Sequence, residues 1–495
     1  MSESAQPARY FAAVDLGASS GRVVAARVDD GGIRAAEVHR FGNGPVLLDG
    51  VLCWAVERLF EETVRGLTIV AETAQAEGAV FAGIGVDSWG VDYGLLDLNG
   101  NLLTGVKHHR GADPNGPADA EQAISAVNAY RMSGIPPQAI NTSYQLRSDV
   151  RAGAVRGGEQ VLLIPDLWVH FLTGVAGAER TIASTTQLID PRTGDWSPQL
   201  IEAFGLGNFA FPPTADSGTF AGYTTSEITA RIGASRPVPV YRVAGHDTAS
   251  ALAFAVPDGA ELLISSGSWS LAGVCLSEPL LSEDARVAGY TNEAGIGGST
   301  LLLRNLAGMW LLTECTRVWA ERGEAEPDVV RLVRQASSEP ADPAPIFDVS
   351  DPRLLEPGDM PARIAALCRE SGQYPPPDVL GTVRSIIESL AAAYAETARV
   401  CERLTGVPLT SVRIVGGGSR NDLLCRRTAE LTGLPVTVGP AEASALGNLA
   451  VQLVAAGEMT STSAVYDRFE LEDVAVRMPR GRYPAAVALS KDGRS

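Results

Sequence analysis

Lysine is almost missing from this chain: Lys107 and Lys491 are the only two among 495 residues. Neither ends a G-x-x-x-x-G-K-[ST] loop, and neither sits where a protein kinase keeps its strand lysine, so both of those phosphate-binding schemes are excluded. Any phosphate handling would fall to backbone amides, hydroxyls, arginine and a bound cation. Cysteine is scarce as well. Cys53, Cys275, Cys315, Cys368, Cys401 and Cys425 are widely spaced, with no C-x-x-C pair and no nearby histidine pair. That excludes a zinc site or a disulfide scaffold and predicts buried free thiols. No apolar run approaches the ~18 residues of a membrane span. Met1 to Arg9 is short and polar, and a cytoplasmic protein is expected. Net positive charge is lacking too: a formal charge of −18 argues against nucleic-acid or anionic-membrane partners.

What is present is a chain too long for one ordinary core, with 45% apolar residues, and two domains are expected. Pro257-Asp258-Gly259 marks the break, giving a first domain over 8–255, a second over 258–456 and a tail over 457–495. Helices are predicted over Val51–Ala76, Val383–Leu404, Asn421–Thr432 and Ala441–Ala456, and from Thr248 to a stop at Pro257. Strands are predicted over Phe11–Leu16, Val23–Val28, Val80–Val86, Val238–Ala244, Val412–Val415 and Pro435–Val438. Val161–Gly174 reads as an apolar run and then a helix stopped by glycine, and Leu95–Leu98 as a strand before an Asn-Gly turn. The segments Gly111–Pro137 and Ser337–Pro361, rich in turn residues, are expected on the surface. Strands and helices alternate in both halves, so the class is α/β.

Asp15-Leu16-Gly17-Ala18-Ser19-Ser20-Gly21-Arg22 joins the first two strands. Small residues there let a phosphate approach backbone N–H groups, and the two serines add donors. Asp15, at the strand's end, is placed to hold a metal-bound water. Alone, the stretch fits an ordinary hairpin equally well. A second copy tips the balance: Glu261 to Leu271 is again an apolar strand, a Ser/Gly turn and an apolar strand. Two such hairpins, each opening one half of the chain, predict a duplicated domain that closes on a nucleotide.

Three further stretches carry candidate chemistry. Asp247 follows a strand and opens a helix, where the helix N-terminus favours its ionised form. It could accept a hydroxyl proton or simply cap the helix. His246 beside it is a candidate substrate contact. Asp87-Ser88-Trp89-Gly90-Val91-Asp92 combines acid, indole and glycine, as a sugar site requires and as a buried structural tryptophan also allows. Gly416-Gly417-Gly418 enters a helix, as a seat for a base or phosphate or as a plain turn.

Taken in order, these motifs resemble the FGGY carbohydrate kinases from about Ala12 to Leu453, together with Asn141–Leu146, Pro165–Trp168 and Asn305–Leu312. The resemblance implies a two-lobed, actin-like (RNase H-like) ATPase fold with duplicated domains and a nucleotide cleft between them. It implies ATP and Mg²⁺ as cofactors and a small-molecule sugar as substrate. The Ala-Ser-Ser-Gly-Arg and His-Asp-Thr-Ala-Ser forms point to transfer of the γ-phosphoryl to O1 of L-rhamnulose. Another ketose or polyol, such as L-fuculose or xylulose, is the alternative, and a non-enzymatic actin-like ATPase the remote one. Carried over by position, Asp247 is the base, and Gly90, His246, Thr248 and Asn305 touch sugar, with Asp87 and Trp89 beside them. Ala18, Ser19, Ser20, Gly21, Arg22, Ser268, Thr313 and Gly417 touch ATP, and Asp15 holds the metal through water. A monomer or homodimer is expected. Members specific for L-rhamnulose usually read Tyr-Arg-Asp where this chain has His109-Arg110-Gly111, which moves the nearest acid to Asp113. The ATP positions Thr313 and Ser268 also depart from the usual Gln and Thr.

Overall fold

The first strand, Arg9–Leu16, is apolar along nearly its whole length, and its last seven residues are buried. A strand buried on both faces needs a layer on each side, and that requirement sets the architecture. The structure is a computed structural model describing residues 7–479 except 104, 156, 325–327, 339–343, 467 and 470–475. Among the described residues, two mixed sheets of six and seven strands form two lobes. In the first, Arg9–Leu16 pairs antiparallel with Ser20–Asp29, which pairs antiparallel with Gly32–Gly42. On its other side Arg9–Leu16 runs parallel to Val80–Ser88, and Val80–Ser88 runs parallel to Pro239–Arg242. The second sheet repeats the pattern. Glu261–Ser266 pairs antiparallel with Trp269–Leu276 and parallel with Ser411–Val415, and Val436–Val438 lies beyond. The duplicated α/β architecture is as expected.

The helix Val56–Ala76 covers one face of the first sheet through Leu59, Leu67 and Val70. The opposite face is covered from the far end of the chain. The helix Ala443–Ala455 buries Ala445, Leu449 and Leu453 against Phe11, Ala13, Val24 and Ala26. The segment 258–456 therefore closes on the first sheet with its last helix. In the second lobe the 27-residue helix Val379–Thr405 supplies the main covering layer. All six cysteines are buried and unpaired.

Several local expectations are corrected. Val51–Trp54 is a strand paired with Pro45–Leu48, and the helix begins only at Val56, because the apolar run Val51-Leu52-Cys53-Trp54 finds a strand partner. The helix after Asp247 stops at Ala251; the chain then turns to reach the second sheet at Glu261. Gly111–Pro137 is partly interior, since Tyr130 sits fully buried in the second lobe's core. In Ser337–Pro361, Phe347, Val349 and Leu354 anchor the segment in the same core, while 339–343 lie outside the described residues. So do 467, 470–475 and 480–495 of the tail.

Gly447 marks the closest approach of the closing helix: a Cβ there would lie 1.8 Å from the Ser250 carbonyl oxygen. Gly to Ala within a helix ordinarily stabilises by about 1 kcal/mol. Here Gly447→Ala is expected to lower the thermal unfolding midpoint instead, as measured by calorimetry against the parent protein.

Candidate active site

A cavity of about 270 Å³ opens between the lobes, and both hairpins reach it. In the first, the Gly17 N–H donates to the Ser20 carbonyl (3.0 Å), and a Cβ on Gly17 would meet that same oxygen at 2.8 Å. Asn43 fastens the turn from outside, its side-chain amide donating to the Gly17 carbonyl at 2.8 Å. In the second, the Gly267 N–H donates to the Trp269 carbonyl (2.8 Å), and the Met309 and Trp310 amides hold the carbonyls of Gly267 and Ser268. Tyr394 of the long helix supports this hairpin from below, its hydroxyl 2.7 Å from Ser270 Oγ. The tips meet across the cleft: Ser19 Oγ and Ser268 Oγ are 3.4 Å apart.

Of the residues expected at ATP, Ala18, Ser19, Ser20, Arg22, Ser268 and Gly417 line the cavity. Gly21 does not; its missing side chain makes room for the Phe41 ring, which a Cβ would approach to 2.3 Å. Thr313 does not either. It is exposed on the helix Trp310–Arg322, with its hydroxyl turned back to the Met309 carbonyl at 3.3 Å. The three consecutive glycines divide in role. Gly416 and Gly418 are required by contact with Ser266, whereas nothing lies near a Cβ on Gly417, which faces the open cavity. The closing helix also brings Ser444, in its first turn, to the wall.

The carboxylates converge at one end of the first sheet. Asp15 and Asp87 are register partners on parallel strands. Asp15 lines the cavity, with Oδ2 3.3 Å from Arg22 Nε, and Arg22 also pairs with Glu442. Burial pushes the Asp15 pKa up to about 6, with Arg22 pulling it down and Asp247 adding repulsion. Asp87 is fully buried beneath the wall rather than in it. Its Oδ1 accepts from Asn448 Nδ2 at 2.6 Å, and Gln452 Nε2 in turn holds Asn448 Oδ1 at 2.7 Å. Burial, with repulsion from Asp15, raises its pKa well above the usual carboxylate range. Asp247 opens a short helix with 32% of its side chain exposed to the cleft, and burial raises its pKa against the pull of His246.

Gly90, Trp89, His246, Thr248 and Asn305 all line the same cavity. The indole N–H groups of Trp54 and Trp89 donate to Asp92 Oδ2 at 2.7 and 2.9 Å, and His109 Nδ1 lies 2.8 Å from the same oxygen. Trp54 stacks on His108 with ring centroids 4.1 Å apart, and burial pushes the His108 pKa down to about 4. The turn carrying Gly90 is strained: Val91, a β-branched residue, has φ of 68°. Thr142 Oγ1, donating to its carbonyl, and Thr185 Oγ1, accepting from its N–H, hold it there. In the divergent motif, His109 is committed to Asp92 and Arg110 lies 4.2 Å over the Trp310 ring of the second lobe. Asp113 is exposed, its carboxylate accepting from the Asn115 amide. The nearest acid therefore does not reach the cavity.

Sequence reasoning missed several lining residues: Gln138, Thr185, Thr291 and Glu293. Thr291 and Glu293 belong to the strand Tyr290–Ala294, where polar residues are buried; a run of polar side chains in a strand was the available signal.

Comparison with known proteins decides the family. The N-terminal domain of the FGGY family of carbohydrate kinases matches residues 10–253, and its C-terminal domain matches 262–456. The chain belongs to the FGGY family of carbohydrate kinases. Rhamnulokinase of Bacteroides thetaiotaomicron is 37% identical over 466 residues, covering 92% of each chain. Rhamnulokinase of Enterococcus faecalis is 35% identical over 464 residues, covering 92% of this chain and 91% of that one. Among solved structures, xylulose kinase from Rhodospirillum rubrum superposes with a TM-score of 0.74 at 18% identity, over 95% of this chain and 94% of that one. Plasmodium falciparum glycerol kinase with ADP gives 0.72 at 13% identity, over 95% and 94%. The two-lobed fold is thus shared with kinases that carry different substrates, xylulose and glycerol, in their names.

Asp92→Ala strands two buried indole N–H groups, each costing about 1–3 kcal/mol. Urea unfolding followed by tryptophan fluorescence is expected to show a loss of about 2–6 kcal/mol, and Asp92→Asn, which keeps an acceptor, a much smaller one.

Proposed function

We propose that this chain transfers the γ-phosphoryl group of ATP to O1 of L-rhamnulose. The observation that carries the reading is Asp247: a carboxylate facing the cavity on which two Ser/Gly hairpins from opposite lobes converge. The choice of sugar is supported by rhamnulokinases 35–37% identical over 92% of the chain. In this reading Asp247 takes the proton from the O1 hydroxyl as that oxygen bonds the γ-phosphorus and the bond from phosphorus to the β,γ-bridging oxygen breaks, releasing ADP. Gly90, Trp89, His246, Thr248 and Asn305 orient the sugar. Backbone amides of Ala18–Ser20, the hydroxyls of Ser19, Ser20 and Ser268, and Arg22 hold phosphates, and Gly417 leaves room for the nucleotide.

Magnesium fits the carboxylate at Asp15. Among the described residues no cluster of three or more His, Cys, Asp or Glu could cage a cation. Mg²⁺ usually keeps several waters and binds one or two carboxylates plus substrate phosphates, so Asp15 acting through water suits it. Bound there, it would neutralise charge on the transferring phosphoryl group. No helix among the described residues is long and apolar enough to cross a membrane. A cytoplasmic location and a monomer or homodimer complete the proposal. Another ketose remains the second reading, favoured by the committed His109 and the distant Asp113.

ADP release across a panel of L-rhamnulose, L-fuculose, D-xylulose and glycerol tests the sugar. L-Rhamnulose is expected to give the highest kcat/KM; a preference of about tenfold or more for another member, ~1.4 kcal/mol in the transition state, reassigns the substrate and keeps the kinase class. Asp247→Asn tests the base. Positioned bases contribute ~10²–10⁴-fold, so kcat should fall by about that factor while ATP binding survives. Because burial raises the Asp247 pKa, turnover of the parent should be lost as pH falls, at a pH above the ordinary carboxylate range.

A further inference from the structure

Glu293 stands in the cavity wall with no motif around it. It lies on the second lobe's strand Tyr290–Ala294 and is 4% exposed. Its Oε1 accepts from Thr291 Oγ1 at 2.9 Å. Its Oε2 lies 3.0 Å from Nδ1 of His246 in the first lobe. The pair is close but not aligned as a hydrogen bond, and neither atom has another hydrogen-bond partner. On its other side, His246 Nε2 is 3.4 Å from Asp247 Oδ1. The strand is fastened to the first lobe on both sides of Glu293. The Asn292 N–H donates to the Gly134 carbonyl at 2.9 Å, and the Ala294 N–H to Ser184 Oγ at 2.9 Å.

We propose that Glu293 is a positioning residue for phosphoryl transfer: from across the lobe interface it holds His246 as the imidazolium, and that cation keeps Asp247 ionised to accept the sugar proton. The proposal rests on Asp247 being the base. Burial alone would favour neutral His246; Glu293 supplies the largest opposing pull, and the balance leaves the imidazole pKa above its ordinary value. The other charges facing His246 are Asp247 and Glu179, and Glu179 is already occupied by the amides of Thr181, Ile182 and Gly245 and the hydroxyls of Thr181 and Ser217. Asp247 also feels Asp15, Asp87 and Glu293 itself. The attraction from His246 outweighs the direct repulsion from Glu293, which fixes the sign: removing the Glu293 charge should make Asp247 harder to ionise.

The experiment is the pH profile of kcat for Glu293→Gln, on whichever ketose the panel selects. Its acid limb should move to higher pH by about one unit, the usual scale of environment-driven shifts. Turnover should approach that of the parent on the alkaline side, KM for ATP should be unchanged, and Glu293→Asp should move the limb back. An acid limb superimposable on that of the parent overturns the proposal. Should Glu293→Gln not fold, NMR titration of the five histidines in the parent protein decides, with the His246 signal assigned by its loss in His246→Asn. The imidazolium should persist above the ordinary ~6.5; titration at or below that value overturns the proposal. This titration uses no turnover, so it is independent of the base assignment, which fails separately if Asp247→Asn keeps its kcat.

Discussion

Mutual repulsion among Asp15, Asp87 and Asp247 is the constraint that the rest of the site answers. The fold needs all three near the ends of neighbouring strands, where burial has already taken away most of the water that would screen them. Each is met differently. Asp87 is given a hydrogen-bond donor, Asn448, from the closing helix; Asp15 is given Arg22 from its own hairpin; Asp247 is given His246. The differing answers match differing duties, because only Asp15 and Asp247 line the cavity.

Arginine carries the positive side of this balance almost alone, and its placement is frugal. Arg22 is shared between Asp15 and Glu442, and Arg40 and Arg420 also approach Glu442. An anion entering the cleft therefore meets a guanidinium that already has carboxylate partners, so its gain is the difference between two charge-assisted contacts. Lys107, the one lysine among the described residues, pairs with Asp149 and does not line the cavity. The protein handles its charges with planar, directional donors and with backbone amides.

Much of this was legible in the chain because its causes are local. The turns Gly17–Gly21 and Gly267–Ser268 announce themselves by small residues between apolar runs, and Asp15, Asp247 and Gly417 sit where strand ends and turns expose them. What was not legible has remote causes. Whether Gly21 serves a ligand or a ring depends on Phe41, its partner on the adjacent strand; whether Asp87 faces in or under depends on Asn448, contributed by the far half. Glu293 reaches His246 only because Asn292 and Ala294 grip the other lobe. Phe347 follows the same rule, its burial being set by the second lobe's core; Val51–Trp54 is the exception, a local hairpin with Pro45–Leu48 whose apolar run also suits a helix.

The helix Ala443–Ala455 has a consequence for biosynthesis. It covers Phe11, Ala13, Val24 and Ala26, which are made before any of the second sheet, yet is itself made after nearly all of that sheet. Domains commonly fold in turn as they leave the ribosome. Here the first lobe emerges with one face of its sheet bare and stays so while the whole second lobe is translated. Its apolar strands must wait, and the nascent chain is exposed to aggregation for longer than its two-lobed outline suggests. Release of the late segment is then the event that completes both halves at once.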